Sequence, residues 1–280
     1  MNITYGISEQ RGYRSHMEDT HAIYRNVDRM FFAAEVFDGH GGREAAEIAA
    51  RMLTPHFLHT WAKELEKPLR TRRNESEIIR EAYLTVDTHI VEKGITSGTT
   101  AADFYIIENR FLAANTGDTR AIIGTKRGVV VLTKDHRPDL EEEKIRVENL
   151  GGTVLYYGTS RVQGILAVSR ALGDAGLKPY VSSEPRITEG HLGTENDYAI
   201  LACDGVWDVL TPDDAIKTAR IFTDPKRAAE EISRKAIHHG STDNITVIVL
   251  DLREYVKNFG QKRMEITKVI DYGVQGAVTA

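Results

Sequence analysis

The sequence predicts an α+β fold in which two antiparallel β-sheets pack face to face, flanked by helices, in four layers (α-β-β-α). Three observations lead there. Strand-like segments outnumber helical ones, the helical segments come in blocks rather than alternating with strands, and several strands are joined by turns too short for a parallel crossover. From the N-terminal side, AIYRNV and MFFAAEVF read as strands separated by Asp28-Arg29. After Asp38-Gly39-His40-Gly41-Gly42 the apolar period changes: Ala45, Ile48, Ala49, Met52, Leu53 and Phe57 recur at helical spacing. The basic stretch Leu69–Asn74 (LRTRRN) reads as a loop, and Asn74 caps a second amphipathic helix carrying Ile78, Ile79, Ala82, Val86 and Ile90.

ADFYII, FLAAN, TRAIIG and GVVVLT follow as strands. Their connections, such as Glu108-Asn109-Arg110 and Asn115-Thr116-Gly117-Asp118, predict antiparallel neighbours. A charged helix (LEEEKIRVENL) stops at Gly151-Gly152. Residues 151–193 are loop-rich. DYAILAC is a strand ending at Asp204, helices lie around Pro212–Ile221 and Pro225–His238, and ITVIVLDL is a closing strand. Nothing resembles an interdomain linker, so residues 1–255 are expected to form one domain and 256–280 a weakly patterned tail that could fray or dock.

The 280 residues carry 36 Lys and Arg against 41 Asp and Glu, a net charge of −5. That balance argues against a nucleic-acid binder, which needs a basic face. The single cysteine, Cys203, excludes an intrachain disulfide or a multi-cysteine metal site. No apolar run reaches the length of a membrane helix, and Met1-Asn2-Ile3-Thr4 does not open like a secretory signal. These features predict a cytoplasmic protein, with the nucleus also open to it, that binds neither membrane nor nucleic acid and is a monomer.

The chemistry lies in acids at strand ends: Glu18 and Asp19 in RSHMED, Asp38 in VFDGHGG, Asp118 in NTGD, Asp204 in ILACDG and Asp243 in GSTDN. Each alone is an ordinary turn residue. Strand ends of one sheet can converge, however, and converging carboxylates repel unless cations neutralise them. All-oxygen sets suit Mg²⁺, Mn²⁺ or Ca²⁺ rather than zinc, and no EF-hand loop is present. A carboxylate-bridged metal pair is a common device for phosphoester hydrolysis.

Nine motifs in order carry a resemblance: RSHMED, VFDGHGG, SGTTA, ANTGDTRA, TKDHRPD, RVQGILAVSRALGD, EPRI, ILACDGVWDVL and STDNITVIVL. Over residues 5–252 the chain resembles the metal-dependent serine/threonine protein phosphatases of type 2C, the PPM class. The resemblance implies a β-sandwich with a Mn²⁺ or Mg²⁺ pair at one end, a looser third ion, and phosphoprotein substrates. It implies that Asp38 bridges the two metals, that Gly39 (through its carbonyl) and Glu18 serve one of them, and that Asp204 and Asp243 hold the other. Asp118 joins Asp204 at the third ion, and Asp19 orients the attacking water. Arg14 would clamp the substrate phosphate and His40 would protonate the departing seryl or threonyl oxygen. Residues 151–193 correspond to the family's flap, and Cys203 is expected to be a core residue. Glu35 departs from the family's small or apolar residue, and its carboxylate is expected to meet a cation or water or to face outward.

Overall fold

The computed structural model describes residues 3–259 and 263–273. In chain order the strands are β1 (Thr4–Gln10), β2 (Thr20–Asn26), β3 (Phe31–Phe37) and β4 (Gly39–His40), followed by helices α1 (Glu44–Glu66) and α2 (Glu75–Glu92). Next come β5 (Gly98–Thr99), β6 (Ala101–Ile107), β7 (Arg110–Thr116), β8 (Arg120–Thr125), β9 (Gly128–Val131) and α3 (Glu141–Asn149). The remainder is β10 (Val154–Tyr156), β11 (Ser160–Val162), β12 (Leu172–Gly173), β13 (Arg186–His191), β14 (Asn196–Ala202), α4 (Asp204–Trp207), α5 (Pro212–Ile221), α6 (Pro225–His238), β15 (Ile245–Asp251) and β16 (Glu265–Asp271).

Two antiparallel sheets dominate, ordered β1-β15-β14-β8-β9 and β16-β13-β7-β6-β3-β2. The period-two pattern of β3 shows how they stack. Phe32, Ala34 and Val36 join Phe104, Ile123, Leu201 and Ile248 between the sheets, whereas Phe31, Ala33 and Phe37 face the helices α1 and α2. On the opposite side α5 and α6 cover the five-stranded sheet through Ile216, Ala228, Ile232 and their neighbours. The result is the expected α-β-β-α stack.

The cap read at Asn74 is present, and two further helices are capped as well. Asn74 forms a reciprocal capping box with Glu77, and Thr211 and Asp224 cap α5 and α6 with proline at the first helical turn. The basic stretch at Arg70–Arg73 is less free than a loop: Arg72 donates to the carbonyls of Leu65 and Lys67, and Arg73 binds Glu64 and Glu81, closing α1 onto α2. One connection departs from expectation. The Asn115–Asp118 turn does not join antiparallel neighbours; β7 and β8 belong to different sheets, so the turn crosses the sandwich at its end. Part of the tail docks, since β16 pairs with β13 as the sheet edge.

Glu35 also departs from expectation. It lies on the helix-facing side of β3, fully buried, opposite Asp103 of β6. Among the described residues its carboxyl meets no cationic side chain; it faces, with Asp103, three hydroxyls. Thr54 Oγ1 donates to Glu35 Oε1 at 2.5 Å, Tyr105 OH lies 3.2 Å from the same oxygen and 3.4 Å from Asp103 Oδ2, and Tyr83 OH donates to Asp103 at 2.7 Å. Burial, with the charge of Asp103 beside it, holds Glu35 well above the usual carboxylate range; burial lifts Asp103 to about 7.

Both raised values mean that the folded state binds protons the unfolded chain releases. Stability from this pair is therefore complete below the unfolded pKa, about 4, and is lost as pH rises toward and through 7. Glu35→Gln should consequently match wild type near pH 4 and exceed it by about 1–3 kcal/mol at pH 8. Chemical denaturation of both proteins at the two pH values, in the same buffer metal, measures this.

Candidate active site

Every acid singled out in the sequence, Glu35 aside, sits at one end of the sandwich. Asp19 precedes β2, Asp38 follows β3, Asp118 lies in the turn from β7 to β8, Asp204 follows β14 and Asp243 precedes β15. Antiparallel pairing alternates strand direction, so an end that collects the last residue of one strand collects the first of the next. Glu18, Asp38, Asp118, Asp204 and Asp243 line a single cleft of about 340 Å³ together with Arg14, Gly39 and His40. Asp19 lies beneath it, only 1% exposed, with Oδ2 accepting from Thr246 Oγ1 at 2.8 Å.

Close backbone packing holds these acids together. Gly39 is required because a Cβ there would stand 2.4 Å from the carbonyl oxygen of Glu18. Asn244, given no role in the site by the sequence, ties separate segments: its Oδ1 accepts from Glu18 N at 2.8 Å, and its Nδ2 donates to the carbonyls of Arg11 and His16 at 2.7 and 2.9 Å. The TKDHRPD motif pins the Asp118 turn. His136 N and Asn115 Nδ2 both donate to Gly117 O, at 3.0 and 3.1 Å, and Arg137 reaches Asp118 at 3.3 Å and Asp208 at 2.5 Å. Asn115 and His136 could have been inferred only from knowing that β7 and β8 change sheets.

The electrostatics are those of an anionic cluster. Loss of solvation and the charges of Asp19, Asp204, Asp118 and Asp243 hold Asp38 well above the usual range. Burial lifts Asp118 as well, brings Asp204 to about 6 and brings Asp19 to about 7. Two arginines reach the group: Arg137, and Arg14, whose Nη2 lies 2.6 Å from Asp243 Oδ2. Asp19 Oδ1 is buried without a partner among the described residues. Such a set fits small hard cations, whose oxygen preference it meets and whose charge removes the repulsion. Cys203 Sγ lies near Asp19 and Asp38 but is not a suitable ligand. It donates to Asn244 O and accepts from Thr246 N, and burial pushes its thiol up, away from the thiolate that metals require. It is the core residue expected.

His40 does not open a helix; it sits in β4, its Nε2 2.8 Å from Asp174 Oδ2. Asp174, in the RALGD motif, was given no role by the sequence reading. The flap segment is mostly irregular but holds the β10–β11 hairpin and reaches the cleft through Arg161, Leu166 and Val168.

The sequence profile of the protein phosphatase 2C family matches residues 3–245. A probable protein phosphatase 2C 45 of Oryza sativa is 36% identical over 253 residues, covering 89% of this chain and 87% of the relative. Among solved structures, a sex-determining protein of C. elegans superposes with a TM-score of 0.82 at 27% identity, over 94% of this chain and 68% of that one. A serine-threonine phosphatase 2C from Toxoplasma gondii superposes at 0.78 with 22% identity, over 89% and 94% of the two chains, which speaks to the fold. The chain therefore belongs to the protein phosphatase 2C family. It is a protein serine/threonine phosphatase, and its acid-lined cleft can bind the metal ions on which that family depends.

In EDTA, Asp38→Asn should melt above wild type, because it removes one repelling carboxylate, worth about 1–3 kcal/mol. Mn²⁺ should raise the wild-type melting temperature and leave that of the variant nearly unchanged, reversing the order. Thermal unfolding with and without Mn²⁺ tests both statements.

Proposed function

We propose that this protein hydrolyses phosphoserine and phosphothreonine in proteins by direct in-line attack of water at a two-metal centre of Mn²⁺ or Mg²⁺, with a third, weaker ion site beside it. The observation that supports this most strongly is the convergence of Asp38, Asp118, Asp204 and Asp243 with Arg14 and His40 on one cleft. In this reading Asp38, Glu18, the Gly39 carbonyl, Asp204 and Asp243 would hold the metal pair, and Asp118 with Asp204 would hold the third ion. When bound, the ions supply an activated water nucleophile and screen the phosphoryl oxygens.

The side chains do the rest. Arg14 is exposed, lines the cleft and rests on Asp243; its planar donor fork is suited to the substrate phosphate. Asp19, held by Thr246 through Oδ2, keeps Oδ1 without a partner among the described residues and would serve as the acceptor that orients the attacking water. His40 gives a proton to the seryl or threonyl oxygen as its bond to phosphorus breaks. No covalent intermediate is required, and the buried thiol of Cys203 has no part.

Release of phosphate from a phosphothreonine peptide should require Mn²⁺ or Mg²⁺, stop with EDTA, and fall at least about 100-fold in Asp38→Ala. A folded Asp38→Ala protein with undiminished, EDTA-resistant turnover would refute the mechanism.

A further inference from the structure

The SGTTA and RALGD motifs lie far apart in sequence yet meet in a small antiparallel sheet, β12-β5-β4, beside the cleft. Its register is informative. Gly98 of β5 stands opposite His40 of β4 on one side and opposite Gly173 of β12 on the other. The His40 ring and the carboxylate of the next residue, Asp174, meet across Gly98, with Nε2 at 3.0 and 2.8 Å from Oδ1 and Oδ2. A Cβ on residue 98 would lie 2.1 Å from Asp174 Oδ2 and 2.4 Å from His40 Nε2, so only glycine leaves room for the contact.

The backbone around Asp174 is fixed as well. Asp174 adopts a left-handed conformation (φ 52°), which costs energy for a non-glycine residue. On its N-terminal side, Gly173 N donates to Asp87 Oδ1 of α2 at 2.7 Å; on its C-terminal side, Leu177 N closes a turn onto Asp174 O at 2.8 Å. The Asp174 side chain is almost buried, 8% exposed, and no other side-chain hydrogen bond to it is seen among the described residues.

From this geometry we infer that Asp174 is a positioning residue for the phosphatase reaction: it fixes the His40 ring so that Nδ1 is the nitrogen offered to the departing oxygen. A carboxylate only accepts hydrogen bonds, so the shared hydrogen sits on Nε2 and Nδ1 remains for the cleft that His40 lines. The arrangement matches the general logic of an acid–base histidine oriented by a buried carboxylate. It rests on the proposed role of His40 as proton donor.

The test exploits leaving groups. A seryl or threonyl oxygen needs a proton to depart, whereas p-nitrophenolate leaves readily without one. The readout is the ratio of kcat on a phosphothreonine peptide to kcat on p-nitrophenyl phosphate, both with saturating Mn²⁺. Asp174→Asn removes the charge, and Asp174→Gly removes the contact; both residues tolerate the left-handed backbone, and thermal unfolding verifies that each variant is folded.

The ratio should fall about tenfold or more in Asp174→Gly and in His40→Gln, less in Asp174→Asn, and no further in the Asp174→Gly/His40→Gln double variant. If the Asp174 variants keep the wild-type ratio, or lose both activities in proportion, while His40→Gln lowers the ratio, Asp174 has no positioning role although the His40 reading stands. If His40→Gln itself leaves the ratio unchanged, the proton-donor reading fails and the Asp174 role fails with it.

Discussion

The mutual repulsion of Asp38, Asp118, Asp204 and Asp243 is the constraint on which the rest of the structure depends. Carboxylates that share one partly desolvated cleft disfavour one another's charge, and several of them are driven toward the protonated state by burial and by their neighbours. A chain free to relax would separate them. Here they cannot separate, because each is attached to the end of a strand whose other residues are locked into one of two sheets. The apolar layers on both faces of each sheet supply the favourable free energy, and the acid end of the sandwich is held against its own electrostatics.

The same division of labour extends to the flap. Arg170, fully buried just before the β12 strand, binds Glu143 of α3, Asp271 of β16 and the carbonyl of Glu184. Losing one partner of such a buried pair is far more costly than losing a surface ion pair, so this arginine adds a polar fastening to the apolar cluster of Val147, Val162, Val168, Ala171 and Val181. It joins the region beside the cleft to an edge strand from the far end of the sequence. The flap thus has an anchored base, while its outer hairpin keeps Tyr156 and Tyr157 exposed.

Much of this was legible in the sequence, for identifiable reasons. The long amphipathic helices and the apolar strands β3, β6, β14 and β15 write their burial directly into periodicity, and the caps of α2, α5 and α6 use standard chemistry. Less legible were β1, β13 and β16. β1 and β16 are edge strands with mixed polar faces, β16 bulges opposite Glu189 and Gly190, and β13 (RITEGH) is largely polar. The site acids were legible because they stand at strand ends, three of them (Asp38, Asp118 and Asp204) beside a glycine. Asn244 and Asp174 were not, because their work is done across long sequence separations: Asn244 binds the backbone of Arg11, and Asp174 binds His40. A residue whose partner lies more than a hundred positions away leaves no local pattern.

Glu35 and Asp103 clarify what separates a functional acid from a structural one in this fold. They are as deeply buried as any site carboxylate and share the same large upward displacement. What differs is position along the strand. Asp38 follows the last residue of β3 and opens onto the cleft, whereas Glu35, three residues earlier, is roofed by α1 and α2. A cation can reach the first and not the second. The mid-strand pair is instead met, on one oxygen of each acid, by Thr54, Tyr83 and Tyr105, hydroxyls that carry no charge of their own. Burial and a raised pKa alone do not mark a catalytic site; in this sandwich, catalytic potential follows from an acid's lying where the strands end and the helical layers do not close.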